Sequence, residues 1–164
     1  MNIEEKAYTY MEDILNKLLA SAIIPDKKYK QVKDIDKNEV QKWKKEYGIE
    51  GVILDIDGTM RIDMKNIDFR NLKWLMKLKE ELKVCIVSNG KDRDVEGVAK
   101  VMQIPYISFA MKPFKKPFLK AANLMELDPK QILVVGDGYI TDILGGKRFG
   151  ARTAGVDHAE VDSR

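Results

Sequence analysis

At 164 residues with 45% hydrophobic content, the chain has material for one domain with a substantial core and too little for two. A formal net charge of +3, with 34% charged residues of both signs intermixed, is unlike a surface that coats nucleic acid, and no specific nucleic-acid partner is expected. No run approaches the ~20 apolar residues of a membrane span. The start of the chain, with Glu4 and Glu5, lacks the basic-then-apolar order of a secretion signal, so a cytoplasmic protein is expected.

The first element is a helix over residues 3–22, where Ile3, Ala7, Met11, Ile14, Leu15, Leu18, Leu19 and Ala22 recur at helical spacing. Pro25 ends it. Asp36 with Glu39 three residues on is a capping pair that opens a second helix, and Gly48 closes it. From there strand and helix patterns alternate. Strands are predicted near 51–56, 83–88, 105–109, 131–135 and 151–156, and helices near 68–82, 92–102, 114–126 and 139–148. Cys85 lies inside an apolar strand pattern, where a buried, inert thiol is the expected reading, and with no second cysteine it forms no internal disulfide. A crossover helix after each strand requires a parallel sheet with helices on both faces. Residues 1–47 are read as an N-terminal helical extension and 48–164 as an α/β core with a five-stranded parallel sheet. The apolar stripe of residues 3–22 suits packing on the domain or on a second subunit. With Tyr8, Tyr10 and lysines 27, 28, 30 and 33 it also suits a peripheral contact with a membrane.

The chemistry concentrates where predicted strands end. The run Val52-Ile53-Leu54 is followed by Asp55-Ile56-Asp57-Gly58-Thr59. Alternation along an extended chain sends Asp55 and Asp57 out on the same side. Two like charges that close repel, and a divalent cation relieves them while leaving one carboxylate able to attack phosphorus. Strand 83–88 ends in Ser88-Asn89-Gly90, Lys112-Pro113 follows strand 105–109, and Gly136-Asp137-Gly138 closes Ile132–Val135, with Asp142 a turn later. In an open parallel sheet, ligands bind beyond the carboxyl ends of the strands where the winding reverses. If the 51–56 and 131–135 strands are neighbours, these groups converge there. Hydroxyl and ammonium donors beside hard oxygen ligands suit phosphoryl transfer with Mg²⁺, and neither His nor Cys is available to favour zinc. The single histidine, His158, lies in a polar tail and is given no catalytic role.

The series Asp55-x-Asp57-x-Thr59, Ser88, Lys112 and Gly136-Asp137-x-x-x-x-Asp142 resembles the signature of the haloacid dehalogenase (HAD) superfamily of phosphohydrolases, in the same order, over roughly residues 48–156. The resemblance implies a Rossmann-like three-layer sandwich and a Mg²⁺-dependent phosphomonoesterase that works through an aspartyl-phosphate. It makes Asp55 the nucleophile and Asp57 the acid and base. Asp55, Asp137 and the Asp57 backbone carbonyl become metal ligands, Ser88, Asn89 and Lys112 phosphate-binding groups, and Thr59 and Asp142 supports. Lys116-Pro117 is a second Lys-Pro pair, but an aromatic six residues after the lysine, Phe118, favours Lys112. The text around Ser88-Asn89-Gly90, Ala110-Met111-Lys112-Pro113 and 141–150 is most similar to the branch of bacterial YqeG proteins and mitochondrial phosphatidylglycerophosphate phosphatases. Gly58 stands where that branch commonly has Asn, and Gly138 where it often has Gln.

The intervals from Thr59 to Ser88 and from Asn89 to Lys112 each hold one helix and one strand, so no cap domain fits. An uncapped site admits a large phosphorylated substrate, a lipid headgroup or a macromolecule, unless a second subunit or the N-terminal extension serves as lid. A competing function is a non-hydrolytic binding or regulatory module on the same scaffold, although such a module has no need of Asp57. A receiver-type phosphoacceptor domain is a further competitor, but it places its acidic pair and its phosphorylated Asp on different strands from these.

Overall fold

The computed structural model describes residues 2–60 and 67–157, apart from the side chains of residues 12, 16 and 19–22. His158, to which the sequence assigns no role, lies outside them. Six strands form one parallel sheet: β1 (Lys27–Tyr29), β2 (Gly51–Leu54), β3 (Lys83–Val87), β4 (Tyr106–Ile107), β5 (Ile132–Gly136) and β6 (Arg152–Val156). Their spatial order is β1-β6-β5-β2-β3-β4. Among the described residues the helices are α1 (Ile3–Ala22), α2 (Lys37–Tyr47), α3 (Phe69–Glu81), α4 (Arg93–Met102), α5 (Lys115–Met125) and α6 (Gly145–Phe149).

The five strands expected from the pattern are present, and a sixth, β1, joins them from the N-terminal side. It escapes the pattern because it is three residues long with one buried side chain, Tyr29. Asp26 secures it. Its carboxylate accepts hydrogen bonds from Thr153 N at 2.8 Å and Thr153 Oγ1 at 3.2 Å, and pairs with Arg152 Nη1 at 3.3 Å. β1 then runs in register with β6, Lys27 opposite Ala154.

Alternation along the central strands divides the core into two layers. Val52, Leu54, Val84, Ile86, Leu133 and Val135 face α2, α3 and α4, where Val40, Trp43, Trp74, Leu75 and Val95 meet them. Ile53, Cys85, Val87, Ile132 and Val134 face α5, whose Phe118, Ala121 and Met125 are buried. Caps set the helix ends as their sequences dictate. Asp36 accepts from Glu39 N to start α2, Gly48 closes it at φ +67°, and Asp92 accepts from Asp94 N and Val95 N to start α4. No described side chain of α1 belongs to either layer, and its Ile3, Met11, Leu15 and Leu18 are exposed. None of the described helices is long and apolar enough to cross a membrane.

The chain winds one way from β2 through β3 to β4 and the other way through β5 and β6. The reversal falls between β2 and β5, so the carboxyl ends of these two strands border the crevice where such sheets bind ligands.

Candidate active site

β2 and β5 pair in register, Leu54 opposite Val135, and Asp55 N continues the ladder by donating to Val135 O at 3.0 Å. That pairing puts Asp55 beside the Gly136-Asp137 end of β5. Oxygen atoms of Asp55, Asp137 and Asp142 lie within 4.8 Å of one another. Thr59 ties two of the strand ends together. Its hydroxyl donates to Asp55 Oδ2 at 3.3 Å, lies 3.5 Å from Asp137 Oδ1, and accepts from Asp137 N at 3.1 Å. The turn that delivers Thr59 passes through Gly58 at φ +75°, the left-handed region that glycine enters at least cost and asparagine next most readily.

Lys112 is the cation of the cluster. It is buried, and its Nζ lies 3.0 Å from Asp55 Oδ1 and 2.6 Å from Asp142 Oδ1. Lys116 stands on the exposed first turn of α5, so the two Lys-Pro pairs are separated by geometry. Burial acts to lower the Lys112 ammonium, but Asp142 and Asp55 outweigh it and the net shift is upward. Burial, and for Asp55 the neighbouring Asp142 charge, pushes both carboxyls up against the opposing pull of Lys112. Among the described residues, the Lys112 ammonium is shared by Asp55 and Asp142, with Asp137 beside them. A cluster of hard carboxylate oxygens suits Mg²⁺.

Asp142 arrives on a π-helical turn, Tyr139–Leu144, rather than on the ordinary helix expected over 139–148. Its Oδ2 accepts from Gly138 N at 3.1 Å, while the α-helix proper begins only at Gly145. A Cβ at Gly136 would stand 2.2 Å from Asp142 Oδ2 and 2.8 Å from Asp142 Cβ, so this glycine makes room for the carboxylate. The sequence holds that requirement only in the fixed interval between Gly136 and Asp142. At Gly138 a Cβ would meet Thr141 Oγ1 at 2.1 Å and Asp142 Oδ2 at 3.0 Å.

Ser88 is buried at the end of β3, one strand across from Asp55, and its Oγ accepts from Gly90 N at 3.3 Å. Asn89 sits beside it but is engaged elsewhere. Its Oδ1 accepts from Lys112 N at 2.7 Å and its Nδ2 donates to Lys112 O at 3.2 Å. Its carboxamide thus clamps the backbone of the lysine, a use that the Ser-Asn-Gly string does not disclose. Asp57 is half-buried on the turn after β2, and its carboxylate does not belong to the acidic trio. The trio is completed by Asp142, which the sequence places as a support.

A family model described as HAD-hydrolase-like matches residues 109–162. Probable phosphatase YqeG of Bacillus subtilis (strain 168) is 36% identical over 138 residues, covering 83% of this chain and 78% of that protein. A HAD family enzyme from Bacteroides thetaiotaomicron, crystallised with magnesium and inorganic phosphate, has a similar fold. Its TM-score is 0.58 at 16% identity, over 71% of this chain and 98% of that one. An uncharacterised protein from Listeria monocytogenes serotype 4b aligns with a TM-score of 0.55 at 20% identity, over 71% and 84% of the two chains. The parallel sheet, the reversal point and the convergent acidic cluster define a HAD-type phosphatase. The chain belongs to the HAD superfamily, in the YqeG-like branch.

Proposed function

We propose that the protein is a Mg²⁺-dependent phosphomonoesterase in which Asp55 is the nucleophile. The observation that carries this reading is the buried Lys112 ammonium held between Asp55 and Asp142, with Asp137 completing an oxygen-only cluster. Asp55, Asp137 and the Asp57 backbone carbonyl are the proposed metal ligands, with Asp142 beside them. The ion supplies charge neutralisation, so that a dianionic phosphate can approach the ionised carboxylates.

Asp55 attacks phosphorus, an oxygen–phosphorus bond forms on its carboxylate, and the bond to the leaving oxygen breaks. Asp57 donates a proton to that oxygen, then as a carboxylate takes one from the water that cleaves the aspartyl-phosphate. Lys112 and the Ser88 hydroxyl hold the transferring phosphoryl oxygens, where preorganised donors contribute most. Asn89 is a positioning residue in this scheme, because both of its hydrogen bonds go to the Lys112 backbone. Thr59 keeps Asp55 and Asp137 at a fixed separation.

With no cap between the motifs, the opening suits a phosphate at the end of a large molecule, and phosphatidylglycerophosphate is the first substrate to assay. Asp55→Asn should lower kcat on an aryl phosphate by roughly 10⁴-fold or more while the protein stays folded. Wild-type turnover in that variant would reject the nucleophile. Chelation with EDTA should stop hydrolysis and Mg²⁺ restore it, and turnover indifferent to both would reject the metal. A panel of lipid, sugar, nucleotide and peptide phosphates then ranks substrates by kcat/KM.

A further inference from the structure

Five large apolar side chains stand exposed around the opening of the site. Phe109, Met111 and Phe114 belong to the loop that carries Lys112, and Tyr139 and Ile140 to the turn that carries Asp142, each between 47% and 67% exposed. The two segments meet where Lys112 Nζ and Asp142 Oδ1 lie 2.6 Å apart, so their outward side chains flank one entrance. In the first segment Ala110 and Lys112 point inward and are buried, while Phe109 and Met111 hold φ of +47° and +61°. The inward placement of Lys112 accounts for the zigzag of this backbone. It does not account for the choice of Phe and Met at outward positions in a conformation that favours glycine or asparagine.

Cations accompany these apolar groups. Lys28 Nζ lies 5.8 Å from the centre of the Tyr139 ring. Lys115 follows Phe114, and Lys91 follows Gly90, whose carbonyl accepts from Phe109 N at 3.1 Å. The site's carboxylates are recessed, Asp55 and Asp142 buried and Asp57 and Asp137 half-buried. An apolar rim flanked by lysines is the anatomy of a surface that inserts shallowly into an anionic bilayer. Apposed on a second copy, the same rim would set Lys28, Lys91 and Lys115 against one another.

We propose that this rim docks on an anionic lipid bilayer and seats the entrance against the headgroup layer. That the docked site then meets a phosphorylated headgroup rests on the phosphatase reading; the docking itself does not. The surface is distinct from α1, whose first turn carries Glu4 and Glu5 and whose Asp13 pairs with Lys17 at 2.7 Å.

The test is co-sedimentation of the full chain at low salt with vesicles of phosphatidylglycerol and phosphatidylcholine, against phosphatidylcholine alone. Wild type should partition to the anionic vesicles roughly tenfold more strongly. Phe109→Ser/Met111→Ser/Phe114→Ser should lose that binding roughly tenfold or more. Tyr139→Ser/Ile140→Ser, on the other segment, should repeat the loss. Thermal midpoints and turnover of a soluble aryl phosphate should stay at wild-type values in both. Absence of wild-type binding to the anionic vesicles overturns the proposal, as does undiminished binding by both rim variants. Loss of binding in Ile14→Ser/Leu18→Ser alone assigns the contact to α1 and overturns it. A wild-type dimer that the rim variants dissociate, without vesicle binding, assigns the rim to a second copy and overturns it too. Sedimentation is read without turnover, so a failure of docking and a failure of the phosphatase reading are separate results.

Discussion

Lys112 has two carboxylate partners within 3.0 Å and almost no contact with solvent, so its charge is part of what makes the pocket foldable. Removing one member of a buried ionic group leaves the others uncompensated, which costs far more than the net value of the group. Lys112→Met in metal-free buffer should therefore destabilise the fold by about 3 kcal/mol, read as a lower urea midpoint with unchanged slope. A midpoint equal to wild type would mean that Asp55 and Asp142 already hold protons in place of the ammonium. The convergence of Asp55, Ser88 and Asp137 was legible because each stands where an apolar run stops, and that of Lys112 and Asp142 from their intervals after such ends. Asn89 was legible as a neighbour of the site but not in its clamping of Lys112, since no spacing rule encodes a side chain returning to a backbone 23 residues away.

At the scale of elements, the best-read segments are those with chemical punctuation at both ends. α2 begins after Asp36 and stops at Gly48 as its sequence indicates, and the apolar runs of β2, β3 and β5 fall within a residue or two of expectation. β1 was not legible, because it has too few residues to show a period and its support is a polar network. Glu39 on α2 reaches back to β1, pairing with Lys27 and accepting from Tyr29 Oη at 2.7 Å, and Tyr29 Oη in turn accepts from Trp43 Nε1 at 2.9 Å. The hydrogen bond from Lys27, then that from Tyr29, holds the Glu39 carboxyl at about 2, below its ordinary 4.5. A carboxyl depressed in the folded state stabilises the protein above its unfolded pKa, and that contribution fades as pH falls from 4.5 toward 2. Glu39→Gln should lower the thermal midpoint by roughly 2–4 °C at neutral pH, with the gap to wild type closing below pH 4.5. A gap that persists unchanged into that acid range would show that the carboxylate charge is not what joins α2 to the edge strand.

For the molecule as a whole, the acidic trio lies at the junction of the two halves of the sheet, between β2 and β5. A cation bound there should stabilise every element that depends on that junction. Mg²⁺ at about a hundred times its dissociation constant should add about 2.7 kcal/mol of stability, seen as a higher unfolding midpoint in Mg²⁺ than in EDTA. The increment should shrink in Asp137→Asn, and an undiminished increment would place the ion elsewhere. This readout needs no substrate, so it separates metal binding from turnover.

The sheet also joins two stretches that lie far apart in the sequence. β1 has β6 as its one strand neighbour, and Asp26 reaches Thr153 across 127 residues of sequence. During synthesis, then, β1 leaves the ribosome well before β6 and stays without that partner until β6 has emerged. Without β6, β5 would stand as an open border of the sheet and β1 would be left without a strand to pair with. Such an open border is a ready template for edge-to-edge aggregation, and the arrival of β6 is what closes it.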